Sequence, residues 1–540
     1  MTNNFLLNSL QSKITRYLFS IVSGLLLFVS FPYTGSQTYL IFIALVPLLL
    51  VETHITQMRY SIGKVYIHAL ITFLLYNFGA TWWISYADLG GALMACILNS
   101  LLMALFFMGF HYIRRNLGKP FDLLALIIVW TGFEFIHYHW EVSWPWLNFG
   151  NVFAIQPAWV QWYSVTGILG GTVWVLLVNF FIAQAIIKSA IGKFRPLHAA
   201  IPGLLIIVPL AISLLIYSNY EEKGKTAEVI VVQPNIDPYY EKFSSLSPSG
   251  QIYRICDLVD SLVTPQTQLV VAPETAIPYP FDEAIAEYDG GVNIINERMK
   301  NWYSANLLIG ASTEKRFNSK QSRASRLDKN SGEYYESYNT SAFFTGKSKP
   351  AFLHKSQLVL GAEKVPFSHI IPALENLSMD LGGPSGTLGI DKEPSIFSNG
   401  NIPVTPTICY ESLYGEQTAF QTRKGAQLIG VITNDGWWDN TAGHKQHFAF
   451  SRLRAIENRR DVARSANTGI SGFINQRGDV IQSTDWWTID VIKQNVHLNT
   501  EETFYMKFGD MIGKMCSILM VMLFGYAIYK KKFVETGKSV

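Results

Sequence analysis

The sequence predicts two kinds of structure in one chain: about eight apolar helices that cross a membrane, and an α/β layered domain placed before the last of them. Three observations lead there. The chain is 49% hydrophobic and only 15% charged, against about 25% charged in an average soluble protein. The deficit is uneven: residues 1–220 are apolar with charges in short clusters, 221–508 have the polar loops of a globular domain, and 511–529 turn apolar again. Within 221–508, β-branched runs alternate with amphipathic helical segments, the pattern of layered α/β domains. With 540 residues the chain exceeds one small domain. A net charge of +3 with no basic, aromatic-studded stripe argues against a nucleic-acid partner.

A spanning helix needs about 20 mostly apolar residues. The runs fall near 15–31, 38–52, 65–86, 91–113, 121–138, 163–187, 200–218 and 510–529. The first does not read as a cleaved signal peptide: no Ala-x-Ala-like site follows it, and further spans come at once. Basic residues punctuate alternate connections: Lys13 and Arg16, then Arg59 and Lys64, then Arg114, Arg115 and Lys119, then Lys188, Lys193 and Arg195, and finally Lys530, Lys531 and Lys532. The short loops 32–37, 87–90 and 139–162 carry none. Cytoplasmic loops are rich in Lys and Arg, so both termini are expected in the cytoplasm and the globular domain outside it. This gives an N-terminal membrane domain over 1–220 with seven helices, an extracytoplasmic globular domain over 221–508, and a final helix with its tail over 509–540. The 139–162 loop is rich in tryptophan, which reads as an interfacial aromatic belt or a substrate-lining segment. Glu134, near the outer end of the fifth span, is an intramembrane ionisable residue and hence a functional candidate, with a solvated or His-paired structural role as the alternative.

In the globular part, strands are expected at 227–233, 267–272, 306–311, 339–345, 402–409 and 427–433, and helices around 250–263, 289–303 and 443–460. Pro and Gly punctuate 361–400, which reads as a long loop region. Several strands run into reactive residues: Glu274 follows Val-Val-Ala-Pro, Cys409 ends Pro-Thr-Ile, and Asn434 and Asp435 follow Ile-Thr. Ligands of open α/β sheets bind beyond the carboxyl ends of strands. A thiol attacks as thiolate, so Cys409 needs a base or a cation beside it. Glu274 fits as base if burial raises its pKa, and Lys355 fits as a cation for thiolate and oxyanion, with Glu363 to orient Lys355 or serve as a second carboxylate. Each residue alone also fits a plainer part: a small core cysteine, a helix-capping glutamate, a solvated lysine.

The order Glu274, Lys355, Cys409 resembles the carbon–nitrogen hydrolase (nitrilase) superfamily. The matching neighbourhoods are Pro-Glu-Thr at 273–275, His-Lys-Ser-Gln-Leu-Val at 354–359 and Ile-Cys-Tyr-Glu at 408–411, extended by Thr-Asn-Asp-Gly-Trp-Trp at 433–438, Arg454-Ala-x-Glu457 and Ala466-Asn467-Thr468-Gly469. With the flanking spans, Ser-Phe-Pro-Tyr-Thr-Gly at 30–35, Trp-Pro-Trp-Leu-Asn-Phe-Gly at 144–150 and Val-Gln-Pro-Asn-Ile at 232–236, the chain is similar to the apolipoprotein N-acyltransferase family. The resemblance implies an αββα sandwich with Glu274, Lys355 and Cys409 as catalytic set and Glu363, Tyr410, Glu411, Asn339 and Asn434 in support. It implies no cofactor, a phospholipid acyl donor, a diacylglyceryl-modified apolipoprotein as acceptor, and a place in the bacterial cytoplasmic (inner) membrane. Cys409 would take the acyl chain as a thioester and an N-terminal α-amine would receive it. Trp146, Trp437, Tyr239 and Tyr240, with Phe243 and Leu381 in loops 237–247 and 360–395, are expected to meet lipid.

The sequence departs from the family at two places. Leu360-Gly361-Ala362-Glu363 replaces Pro-Phe-Gly-Glu, and Trp437-Trp438-Asp439 stands where Trp-Phe-Gly is usual. Two other readings stay open at this point: a membrane-tethered amidase or nitrilase that passes its acyl group to water, and a non-catalytic scaffold binding lipoproteins. Acyl transfer to another amine-bearing lipid is a third. His444 and His447 have helical metal-pair spacing but no third ligand adjoining them, so no metal is expected. Cys256 lies in a helical pattern that favours a core role over a bridge to Cys409.

Overall fold

A computed structural model describes residues 8–347, 349–368, 370 and 386–534. Leu381 and the side chain of Phe243 lie outside that description. The chain divides into two units: Met1–Ser85, Ala92–Asn219 and Asp510–Val540 form one, Tyr86–Gly91 and Tyr220–Gly509 the other.

Among the described residues eight helices are long and apolar enough to cross a membrane: Lys13–Ser30, Thr38–Gln57, Ile62–Tyr86, Leu89–Leu117, Lys119–His139, Tyr163–Ala190, Pro196–Asn219 and Met511–Lys532. The second outruns its apolar stretch because its polar end is paired inside the protein. Glu52 bonds His111 Nδ1 at 2.6 Å and the Arg114 guanidinium, whose Nε reaches Asp122 at 3.1 Å. The last helix returns to the fifth across small residues, the usual route to close helix contact in membranes. A Cβ on Gly132 would stand 3.2 Å from the Cys516 backbone. The Trp-rich loop folds into 3-10 turns at Pro145–Leu147, Phe149–Ile155 and Pro157–Trp159. Glu134 ties it down, accepting from Phe149 N at 2.9 Å, Trp130 Nε1 at 3.0 Å and Thr172 Oγ1 at 2.5 Å. Its partners are thus a backbone amide, an indole and a hydroxyl.

The second unit is a sandwich of two sheets. Its strands are β1 (Lys225–Gln233), β2 (Thr267–Val271), β3 (Ile277–Asp282), β4 (Asn306–Phe317), β5 (Arg326–Leu327), β6 (Tyr334–Phe344), β7 (Ala351–His354), β8 (Val404–Ile408), β9 (Leu428–Thr433), β10 (Val462–Ala466), β11 (Gly472–Ile474), β12 (Val480–Ser483) and β13 (Asp490–Leu498). One sheet has the order β13-β1-β2-β4-β6-β5, with β3 on β4 and β7 on β6; the other runs β12-β11-β10-β9-β8. Side chains alternate across a strand, and both faces here are covered. Val229 and Val231 of β1 meet Val404, Ile408, Leu428 and Ile432 between the sheets. Ile230 and Val232 face outward onto Ile252, Ile255 and Val259 of the Pro248–Asp260 helix and Ile295 of the Gly290–Met299 helix. On the far side, Ile429, Val431 and Val462 pack on Phe448 and Ala455 of the Ala442–Asn458 helix. The layers are therefore α, β, β, α, as the resemblance implies.

The expected strands and helices are present, and β3, β5, β7 and β10 to β13 join them. Val-Ala-Arg-Ser-Ala of β10 hides from an apolar-run reading because Arg464 and Ser465 are buried through pairing, and β13 alternates without a continuous apolar stretch. The 361–400 region forms no long element among its described residues.

Candidate active site

Past the end of β2 the chain stays on the β4 ladder, through Ala272 N to Leu308 O at 2.8 Å, Gly310 N to Pro273 O at 2.9 Å and Ala276 N to Gly310 O at 2.9 Å. The Pro273–Thr275 turn so formed lies flat on β4, and Thr275 takes φ 46° within it. A Cβ on Gly310 would come within 2.5 Å of Glu274 Cα and Thr275 N. Only glycine leaves room for the turn that presents Glu274.

The Glu274 carboxylate is buried and held by three donors. Oε1 accepts from Asn339 Nδ2 at 2.8 Å and Lys355 Nζ at 3.3 Å, and Oε2 from the Asn434 backbone N–H at 3.1 Å. Asn339 spends its other N–H on Glu363 at 2.7 Å, and Lys355 reaches Glu363 at 2.9 Å. Amide and ammonium thus clamp the same two carboxylates. Glu363 also accepts from Val359 N at 2.8 Å. The Leu-Gly-Ala-Glu departure does not displace it from Lys355. Lys355 itself is placed by β7, whose register carries on as Lys355 N donates to Asn339 O at 2.9 Å. His354, its neighbour, is pinned by carboxylates on both ring nitrogens, Asp391 at 2.7 Å and Glu283 at 2.6 Å. Two acceptors make the ring an imidazolium, and its pKa is raised although burial opposes it.

Cys409 stands just beyond β8 at φ 49°, a left-handed conformation that bends the chain sharply, and the residue as a whole is only partly buried. Glu411 fixes the bend. One oxygen accepts from Ile408 N at 2.9 Å, the other from Ser356 N at 2.7 Å, Gln357 N at 3.3 Å and Gln417 Nε2 at 2.8 Å. A single carboxylate therefore joins the residue before Cys409 to the residues after Lys355. Tyr410 is buried, its ring 5.5 Å from that of Tyr414. From behind, His447 Nε2 lies 3.1 Å from Cys409 O and 2.9 Å from Ser412 Oγ, while Nδ1 faces Asp435 at 2.8 Å.

Charge in this cluster decides the resting state of the thiol. Burial would lower the Lys355 pKa, but Glu363 and Glu274 outweigh it and raise it, so the ammonium persists. Burial and the Glu274 charge push the Cys409 thiol far up, and Lys355 only partly offsets them. Two carboxylates share one ammonium, which leaves no spare positive charge for a preformed thiolate. The thiol must lose its proton to a base during attack.

Asn434 contributes through its backbone; its side-chain oxygen turns away to Asn467 and Thr468 at 3.2 and 3.1 Å. Tyr239 is 48% exposed and Tyr240 76%. Tyr239 meets the partly exposed Trp437 edge to face at 5.3 Å. Trp146 belongs to the membrane unit, where it is buried, stacked on Trp144 at 5.6 Å and tilted against Trp83 at 4.9 Å. Donor atoms of Cys409, Asp435 and His447 lie within 4.8 Å of one another. The Arg464 guanidinium, 2.7 Å from Asp435 and 3.0 Å from His447, already occupies the cationic position there. His444 stacks on Trp486 at 4.0 Å. Sequence reasoning passed over Gly310 and the pinning of His354. Their signals, a glycine inside an apolar strand run and a histidine preceding the candidate lysine, were present but not distinctive.

Residues 23–181 match the family model for the apolipoprotein N-acyltransferase N-terminal domain, and residues 228–505 match that for carbon-nitrogen hydrolase. An apolipoprotein N-acyltransferase of Chlorobaculum tepidum is 31% identical over 507 residues, 92% of this chain and 93% of that one. The chain belongs to the apolipoprotein N-acyltransferase family. Other members include those of Geobacter metallireducens, 26% identical over 93% of each chain, and Haemophilus influenzae, 26% identical over 95% of each. Among solved structures, an amidase from Nesterenkonia sp. aligns with 52% of this chain and 95% of its own at 15% identity and a TM-score of 0.35. For a member of this family, the eight apolar helices make the chain a membrane protein and the sandwich its carbon–nitrogen hydrolase domain.

Proposed function

We propose that this enzyme moves an acyl chain from the sn-1 ester of a phospholipid to the α-amine of a diacylglyceryl-cysteine at the N-terminus of a lipoprotein, through a thioester on Cys409. The observation that carries the reading is the Glu274–Asn339–Lys355–Glu363 clamp beside the strained Cys409 turn, in a chain whose relatives bear the acyltransferase name over nearly their full length. Glu274 takes the thiol proton as sulfur attacks the ester carbonyl. Lys355 neutralises the oxyanion; one such donor is worth about a hundred- to thousandfold in rate. The tetrahedral intermediate collapses, the glycerol oxygen leaves with the proton from Glu274, and lysophospholipid departs. The incoming amine then loses a proton to Glu274, attacks the thioester, and leaves as an amide while sulfur recovers its proton. An α-amine with a pKa of about 8 is partly neutral at physiological pH, so this step needs no stronger base.

We further propose the division into membrane domain, catalytic domain and terminal helix given above, with the catalytic domain outside the cytoplasm at the bacterial inner membrane. The alternating basic loops support that orientation. Exposed Tyr239, Tyr240 and partly exposed Trp437 form an aromatic rim suited to acyl chains and headgroups.

The test incubates the full chain in detergent with phosphatidylethanolamine and a diacylglyceryl peptide bearing a free cysteine amine. Wild type should add one acyl mass to the peptide, and Cys409→Ala should add none. A Cys409 thioester discharged only by water would replace this reading with the hydrolase, and the absence of any thioester with the scaffold.

A further inference from the structure

The rim loop is anchored at several points. Asn235 N donates to Asn467 O at 2.9 Å, Asn467 Nδ2 donates to Ile236 O at 2.7 Å, and the Asp237 carboxylate accepts from Tyr239 N and Tyr240 N at 2.8 and 3.1 Å. Tyr239 Oη donates to Trp437 O at 3.2 Å. Directly after the two tyrosines comes a short π-helical turn, Glu241–Ser245, which drives Lys242 inward. Lys242 is buried, and the steps above do not use it. Its Nζ donates to Thr275 Oγ1 and lies 3.4 Å from the Glu274 carbonyl oxygen. Gln251 Nε2 fixes its backbone by donating to Lys242 O at 2.6 Å.

Burying an ammonium costs several kcal/mol in desolvation, and a methionine would fill the same space without that cost. The residue it grips is the left-handed Thr275, the β-branched member of the Glu274 turn, a conformation that persists only where neighbours enforce it. Lys242 touches the hydroxyl and the backbone of the turn, so it bears on where Glu274 stands. Glu274 on the turn is a charged group that acts on its ammonium, and Glu241, beside it in the chain, pairs with Arg254 of the adjacent helix at 3.5 Å.

We propose that Lys242 is a positioning residue for Glu274, and that through it occupancy of the Tyr239–Tyr240 rim sets the geometry of the base. The inference rests on Glu274 being that base. An acyl chain or headgroup that presses on the tyrosines moves a loop whose inner end is tied to the Glu274 turn, so productive alignment follows binding.

The test uses the full chain in detergent with phosphatidylethanolamine, following lysophospholipid release and alkylation of Cys409 by iodoacetamide. Lys242→Met should cut kcat about a hundredfold, the scale of a 1 Å misplacement, with KM within about twofold. Lys242→Arg, which keeps a donor, should recover at least about a tenth of wild-type turnover. Thr275→Val keeps shape and branching and guards against simple misfolding. It should lower kcat in the same sense, and the double variant should be no worse than Lys242→Met, since contacting residues couple. Tyr239→Ala with Tyr240→Ala should lower kcat in the wild-type background and add little to Lys242→Met. Wild-type kcat in both Lys242→Met and Thr275→Val, or strict additivity of the two, overturns the inference. Glu274→Gln, measured alongside, separates the failures: wild-type turnover there removes the base itself, whereas its loss with intact Lys242→Met removes only Lys242's part.

Discussion

Glu411 touches neither the thiol nor the ammonium, yet the geometry makes it decisive. A Glu411→Gln side chain keeps the shape and supplies one oxygen where four N–H groups need two. In the better orientation the oxygen keeps Ser356, Gln357 and Gln417, and the new amide faces the Ile408 N–H. One charge-assisted hydrogen bond is lost and one buried donor is left facing another, a cost of about 3 kcal/mol after relaxation. The group that relaxes is Ile408, which precedes the left-handed Cys409. A 1 Å shift of the nucleophile costs about a hundredfold in rate. Alkylation by iodoacetamide with intact-mass detection reads this directly, because Cys96, Cys256 and Cys516 are buried and Cys409 as a residue is only partly so. Lysophospholipid release gives the parallel turnover. Gln417→Leu removes only a neutral donor from the other oxygen and should cost about 1 kcal/mol with little loss of rate. The reasoning fails if Glu411→Gln alkylates and turns over within about twofold of wild type.

Gly310→Ala puts a methyl 2.5 Å from Glu274 Cα and 2.7 Å from Pro273 O, both backbone. It should cost about 3 kcal/mol in denaturant unfolding and nearly all turnover, whereas Gly290→Ala, with open space around it, should leave both unchanged. His354→Gln should show a pH signature. The raised His354 pKa gives stability that is complete below the unfolded value of about 6.5 and is lost as pH rises through the folded one. Burial would raise the Glu283 and Asp391 pKa values, but His354, helped by Lys315 at both and by Thr313 at Glu283, outweighs it and lowers both. Their share is complete above about pH 4.3 and fades below that, as pH falls through their folded values. The variant's drop in melting temperature should therefore be larger at pH 6 than at pH 9, and an equal drop would count against the ion-paired ring. Asp439 stands at φ 51°, ψ −170°, at the position where the resemblance leads one to expect glycine. That backbone region is nearly glycine-only, so Asp439→Gly should raise stability by about 1 kcal/mol, and an unchanged or lower unfolding midpoint would refute the assignment of strain there.

The apolar runs, the alternating basic loops and the order of Glu274, Lys355 and Cys409 were all legible in the sequence, because each depends on local composition or on short strings. A helix that must satisfy its own backbone in lipid announces itself by length and apolarity alone. The strand end that presents Glu274 was legible for a similar reason, since buried parallel strands are continuous apolar runs, whereas Val-Thr-Pro-Thr-Ile before Cys409 showed itself by its β-branched residues. Pairings over long separation left no such mark. Nothing local says that Asn339 bridges Glu274 and Glu363, that Asn434 serves by its backbone, or that Arg464 can be buried because Asp435 receives it. Likewise Lys242 reads as one more polar residue of a loop until the fold lays it against Thr275. Sequence by itself determined which residues are present to do chemistry and which segments avoid water. Tertiary structure alone decided which partner each polar group received, because a hydrogen bond depends on distance and direction between atoms that the chain brings together only when both sheets have closed on their core.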